Sequence, residues 1–415
     1  MKIKLLFLSF LIYSSIHADN HILVSKNPSN ELNTLIPNTQ NTFNANQIFS
    51  SLGDARDYIL SNYSQTITEN ITIYVREGHY FQDYIWWIST SEIFTMKIIS
   101  YQGEKVIFDG KRDNNTINSK FIQVEQKFKR TNLWIEGLTI QNYHNGIGFG
   151  ETIRDKNGIY FNGIQTSHNT IKNNIFQYIG NKFSTENDKV GYSALGLSNS
   201  TYNLIESNVF YRNENDKGNT KGLIHSIYLA NYSSQNIIKN NYVSFCSGGA
   251  FRIRNACDNN VFNDNYIDQS SQYGFISEWY RTPNDYPETP ELPSNGSIIT
   301  ANTCTFPYPD YNDNVLLFSS NVNNGANNSN YIDGGGNFVI NTKPICEEIG
   351  AVTSGDINND GIDEVFVALN YGNFTKLVRS KPESPLYLSK VLYVSQYWHI
   401  YALEMNDFDN NGTPR

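Results

Sequence analysis

The sequence predicts an all-β solenoid, with short strands coiled rung upon rung, and three observations carry that expectation. An eight-residue motif recurs at residues 132–139, 169–176, 203–210, 236–243 and 260–267; every copy opens on Asn, and all but the first place a second Asn at position six. Alternating apolar segments accompany the copies at 158–162, 194–198, 226–230, 250–254 and 274–278. Charged residues make up only 17% of the 415 and aromatics reach 14%, with Asn, Ser and Thr carrying most of the polarity, a mix suited to strands joined by tight turns.

The copies start 37, 34, 33 and 24 residues apart (169−132, 203−169, 236−203, 260−236). A rung needs roughly twenty residues, so the longer spacings imply loops inserted into similar rungs. An Asn recurring at one position predicts stacked amides bonded to each other at an interior turn. Period-2 alternation predicts inward pairs Ile159/Phe161, Leu195/Leu197, Ile227/Leu229, Phe251/Ile253 and Phe275/Ser277.

The remaining elements follow in chain order. Residues 1–18 read as a signal peptide: Lys2 and Lys4, an apolar run from Leu5 to Ile16, then Ala18 at a cleavage position. The run is too short to span a bilayer comfortably, and no later stretch qualifies, so a secreted, periplasmic or cell-surface protein without a membrane span in the mature chain is expected. Residues 19–44 are polar and predict a flexible lead-in. Ile48, Phe49, Leu52, Ala55, Ile59 and Leu60 recur at helical spacing and predict one amphipathic helix over 46–63. Short strands follow at 71–75, 96–99 and 106–109, punctuated by Gly103 and Gly110.

A helix leading into short strands, Gly turns and this repeat resembles the right-handed parallel β-helix (pectate-lyase-like) proteins. The resemblance spans roughly residues 45–280 and implies right-handedness, a helix capping the end of the solenoid, and a glycan as partner. The β-helix domain is expected over 45–345, with the prolines between 283 and 309 breaking its last rungs.

The C-terminal region, 346–415, carries Asp356-Ile-Asn358-Asn-Asp360-Gly361-Ile362-Asp-Glu364. Side-chain oxygens at positions 1, 3, 5 and 9, the Ile362 carbonyl at 7 and a Gly at 6 suit one Ca²⁺. It resembles an FG-GAP/VCBS-type repeat, which implies part of a β-propeller. A second loop starts at Asp407 and has Arg415 at its ninth position, so the repeat region reads as incomplete.

A net charge of −9 with no basic block argues against nucleic acid as the partner. Cys246, Cys257, Cys304 and Cys346 would, in an oxidising compartment, form two disulfides in one of three connectivities. Stacking the alternating segments gives two outward columns: Tyr160, Gly196, Tyr228, Arg252, Ile276, and Asn162, Ser198, Ala230, Arg254, Glu278. These outline a shallow groove for a polysaccharide. β-Elimination on a uronate needs the sugar carboxylate neutralised, a base for the adjacent C–H and an acid for the leaving oxygen. Arg252 and Arg254, with Ca²⁺ as an alternative, fit the first task; Lys221, His225 and Tyr228 fit proton transfer; Tyr160 and Glu278 fit substrate contact. The sequence has neither an Arg-x-Pro-x-x-Arg run nor the Asp-Pro-His tripeptide of the alginate epimerases. A non-catalytic adhesin and a glycoside hydrolase remain as competing readings. The hydrolase needs two carboxylates in one groove, for which Glu214 and Asp216 are the loop candidates.

Overall fold

The structure, a computed structural model, describes residues 19–63, 67–87, 93–111, 116–124, 131–150, 154–155, 158–159, 166–186, 189–270, 276–284, 286–288, 290–305, 318–320, 330–340, 348–355, 364–371, 374–380 and 390–395. Among these the chain winds into three sheets of eleven, nine and eight strands. Neighbouring strands within each are parallel, as in a β-helix with three faces.

Each rung contributes one strand per face, and its inward residues stack on those of the next rung. The first sheet aligns Ile135, Ile171, Ile205, Ile238, Phe262 and Ile299; the second aligns Ile140, Phe176, Phe210, Val243, Ile267 and Cys304. All are buried in one core, where Phe176 and Phe210 stack at 5.0 Å. Each fully buried aliphatic side chain stabilises the fold by about 1.5–3 kcal/mol before entropy is counted.

Two interior amide ladders run along the turns that flank the first sheet. One links Asn169, Asn203, Asn236 and Asn260 at 2.7–3.0 Å. The other links Asn174, Asn208, Asn241, Asn265, Asn302 and Asn337 at 2.9–3.1 Å. Each Oδ1 also accepts a backbone N–H from the rung before it. Burying these amides is tolerable because their donors and acceptors are matched. The residue before each member of the second ladder is left-handed: Asn173, Ser207, Asn240, Asp264 and Ala301 have φ between 52° and 56°, and Gly336 has φ of 70°. The first copy of the motif sits one residue out of the expected alignment. Leu133 and Leu138 occupy the ladder positions and donate their N–H to Asn169 and Asn174, and Gly137 takes the left-handed place.

Several expectations need correction. Residues 19–44 contain the strand Asn20–Val24, which pairs in parallel with Ile71–Val75, and Ile36 and Phe43 pack on Tyr74 and Tyr101. The helix forms at Leu52–Tyr63 and buries Leu52, Ala55 and Ile59 in the main core. Residues 158–159 do not join a rung; they pair antiparallel with Arg154–Asp155, and the rung strand is Tyr143–Phe149 instead. Residues 160–162 of that apolar run, Phe161 among them, lie outside the described residues. At the other end Ile276 faces the core, so Ser277 aligns with Arg252 and Glu278 with Ile253, one residue off the expected register. Phe275 lies outside the described residues. Cys246, Cys257 and Cys304 are free, buried thiols, and burial pushes the first two up to about 11 and about 12. Cys346 lies outside the described residues.

The C-terminal strands Glu348–Gly355, Glu364–Tyr371, Phe374–Ser380 and Lys390–Ser395 form an antiparallel four-stranded sheet in sequence order. No helix among the described residues is long and apolar enough to cross a membrane.

Candidate functional site

The third sheet exposes a groove of about 780 Å³ across successive rungs. Its floor follows from the register. Gln123, Gly148, Gly196 and Tyr228 align on consecutive strands. The two glycines leave the middle of the column without side chains. A Cβ at Gly148 would come within 3.0 Å of the Lys120 Nζ and collide with the Gln123 Oε1. Strands stack about 4.8 Å apart, so Gln123 and Tyr228, three rungs apart, bracket a slot about 14 Å long. That is wide enough for one sugar ring in an extended chain.

Lys120 stands on Asn118–Val124, in register with Asn145. Its ammonium donates to Gln123 Oε1, whose own amide nitrogen is anchored on the Gly150 carbonyl at 2.7 Å. Burial lowers the Lys120 pKa, since the neutral amide beside it does not repay the lost hydration of a charge. Asn145 accepts from the backbone N–H of Tyr192 at 2.8 Å and of Ser193 at 3.2 Å, fixing the return of an inserted loop into the strand Ser193–Ser198. Tyr192 and Tyr84, 51% and 38% exposed, present rings at the groove wall.

At the far end Tyr228 and Arg254 line the groove. Arg254 makes a bidentate pair with buried Glu291 at 2.8 and 2.7 Å, donates to the Tyr228 hydroxyl at 3.4 Å and lies 4.2 Å above the Trp279 ring. Burial opposes its charge, but the Glu291 and Tyr228 contacts outweigh it and raise the pKa, so the guanidinium stays ionised. Among the described residues no carboxylate lines the groove.

The predicted residues therefore divide. Tyr228 and Arg254 reach the groove together. Arg252 aligns beside Tyr228 as expected, but it is buried and does not line the groove. His225 is buried as well. Its Nδ1 lies 3.3 Å from the Gly249 carbonyl, which can only accept, so Nδ1 carries the proton. Burial first, and then the Arg252 charge, pushes its pKa well below the usual histidine range. A neutral imidazole set edge-on to Tyr228 at 5.4 Å supports that ring from behind. Lys221 lies in the 3₁₀ turn Gly218–Leu223 ahead of the strand and does not line the groove. Glu278 is buried and accepts the Ser294 N–H at 2.7 Å, away from any substrate. Glu214 is buried against Lys182 at 2.6 Å, and Asp216 does not line the groove either. Tyr160 and Asn162 lie outside the described residues, as do Asp356, Asn358, Asp360 and Ile362; of Glu364 only its place at the start of a strand is described.

Lys120, Gln123 and Tyr192 were not singled out from the sequence. Alternation in Asn118–Val124 sets Gln123 outward between inward Ile122 and Val124, but it would turn Lys120 inward with them, and Phe121 beside Lys120 is buried too, so the pattern gave no signal for Lys120. The segment precedes the Asn motif, so the repeat did not point to it.

A family model described as a right handed beta helix region matches residues 131–284. Over that span the solenoid is thus a right-handed parallel β-helix. Among solved structures, pectate lyase Pel9A is similar at 12% identity and a TM-score of 0.47, over 79% of this chain and 77% of that one. ORF18 of Geobacillus virus E2 is similar at 10% identity and a TM-score of 0.38, over 84% and 74% of the two chains. An alginate lyase from Paenibacillus sp. str. FPU-7 is similar at 10% identity and a TM-score of 0.28, over 69% of this chain and 97% of that one. No curated protein matches the chain.

Proposed function

We propose that the groove binds an extended, uronate-containing polysaccharide and cleaves it by β-elimination. The observation that carries this reading is the desolvated Lys120 amine, set over a glycine floor opposite Tyr228 and Arg254. A lysine whose pKa is lowered by burial offers more neutral amine near neutral pH than an exposed one, which suits it to take a carbon-bound proton.

In the proposed step the Lys120 amine takes the proton from the carbon next to the sugar carboxylate. The C–H electron pair forms the C4–C5 double bond, the C4–O bond breaks, and the departing oxygen takes the Tyr228 hydroxyl proton. Arg254 supplies positive charge at the carboxylate, where negative charge develops. Lys120 ends protonated and Tyr228 ionised, and solvent resets both. The products are an unsaturated uronate and a new reducing end. Hydrolysis is disfavoured because it needs two carboxylates facing the bond, and among the described residues the groove lining has none.

The test is a panel of polyuronates and neutral glycans. Ultraviolet absorbance from an unsaturated product, with a pH–rate profile rising through a pKa below that of ordinary lysine, is expected. Reducing ends without absorbance would turn the reading to hydrolysis, and saturable binding without product to a glycan-binding adhesin. Secretion behind the 1–18 signal, and one Ca²⁺ in the Asp356–Glu364 loop, belong to the same proposal. Calorimetry with Ca²⁺ is expected to show one binding event that Asp356→Ala removes.

A further inference from the structure

The first rung carries a second concavity, of about 640 Å³, whose chemistry is opposite to that of the groove. Asp19 and Glu69 are its ionisable acids, and among the described residues no Lys or Arg lines it. One wall is fixed by a relay: Gln47 Nε2 donates to Asn20 Oδ1 at 3.1 Å, Asn20 Nδ2 donates to the Tyr63 hydroxyl at 2.5 Å, and Tyr63 donates to Glu69 Oε1. On the other side the Gln40 and Asn41 amides and the Thr42 hydroxyl line the space and make no side-chain hydrogen bond with the described residues. Between them lies His21, whose Nδ1 is buried and has no hydrogen-bond partner among the described residues. Apolar Ile36, itself buried, completes the lining.

We infer that this pocket is a separate binding site for a neutral, hydroxyl-rich ligand, one or two pyranose rings of an uncharged glycan. Two acids with no cation in the described lining repel a uronate or a phosphate. Among the described residues no group of three His, Cys, Asp or Glu stands ready for a metal ion. What the lining offers is carboxylate and amide acceptors, amide donors and a hydroxyl, the set that matches sugar hydroxyls acting as donor and acceptor together. His21 adds its ring to the lining, while its Nδ1 is closed off from solvent and is not a position that a ligand hydroxyl reaches. Ile36 gives the apolar face of a ring something to rest on. The volume lies within the range usual for small-molecule sites. This inference does not depend on elimination in the groove.

The test uses the full chain carrying Lys120→Ala, to weaken the groove, titrated calorimetrically with maltose, cellobiose, lactose and mannobiose. Saturable binding of at least one is expected. The exposed double substitution Gln40→Ala/Asn41→Ala is expected to weaken it about tenfold, as the loss of one to two neutral hydrogen bonds would. Circular dichroism is expected to report an unchanged fold for that variant. No saturable binding of any of the four sugars would overturn the inference, and so would binding indifferent to the Gln40/Asn41 change. A Ca²⁺-binding event abolished by Asp19→Asn would also overturn it, in favour of a cation site.

Discussion

Two outer faces of this solenoid carry the same kinds of charged side chain and treat them oppositely. On the first sheet Glu136, Lys172, Glu206 and Lys239 stand in register on successive rungs. Lys172 and Lys239 flank Glu206 at 3.7 and 3.2 Å, each about a third exposed. On the third sheet Lys120 is sunk into a groove with only an amide for a partner among the described residues. The first arrangement keeps every charge hydrated and near its opposite, which is cheap and does little. The second holds a cation where it is least comfortable, the condition under which an amine becomes a usable base.

The contrast can be broken by measurement. Lys120→Ala is expected to lower the elimination rate by about 10²–10⁴-fold, the usual contribution of a positioned general base. Lys172→Ala should leave the rate essentially unchanged; comparable losses in both variants would erase the distinction between the faces. Next in size is Arg254→Ala. It strips the bidentate partner from buried Glu291 and is expected to cost about 3–5 kcal/mol in urea unfolding. Lys172→Ala, which opens a hydrated pair, should cost about 0–1 kcal/mol. An Arg254 variant as stable as the Lys172 variant would mean that Glu291 is rehydrated and the groove end is soft.

A smaller effect sharpens the same point through pH. Burial lowers the folded-state pKa of Lys120, so the native state binds this proton less tightly than the unfolded chain. The resulting penalty is fully present below the folded pKa and disappears as pH rises through the unfolded value, about 10.4. Lys120→Met should therefore raise the melting temperature at pH 7, and the gain should shrink as pH approaches 10–11. A constant gain across that range would assign the effect to packing and not to charge.

How much of this was readable in advance depended on periodicity. The Asn motif announced an amide ladder and five of the rungs, because Asn at a buried turn must repeat if its amide is to be satisfied; the second ladder and the rungs without the motif were not announced. The alternating segments at 194–198, 226–230 and 250–254 told inside from outside, and Leu195, Ile227 and Phe251 are buried as the alternation requires. Alternation failed where loops intervene. The antiparallel pair Arg154–Asp155 and Gly158–Ile159 stood where a rung was expected, and at Glu278 a one-residue slip turned an expected surface acid into a buried one. The site was half legible: Tyr228 and Arg254 came from stacking, but their charge partners are far away in sequence. Glu291 lies 37 residues beyond Arg254, and nothing local announces it. Lys120 went unseen for a different reason, since desolvation arises from neighbours that only the fold brings together.

The second amide ladder has a further consequence. Its members are separated by 34, 33, 24, 37 and 35 residues along the chain, yet their mutual distances stay within 2.9–3.1 Å. The ladder is a ruler that measures rungs and ignores the length of chain between them. A lineage could lengthen, shorten or exchange any excursion and leave the groove floor where it was. Loops are therefore the editable text of this molecule, the amides its ruled lines, and an engineer who grafts a new excursion between two ladder residues should find the rest of the page unmoved.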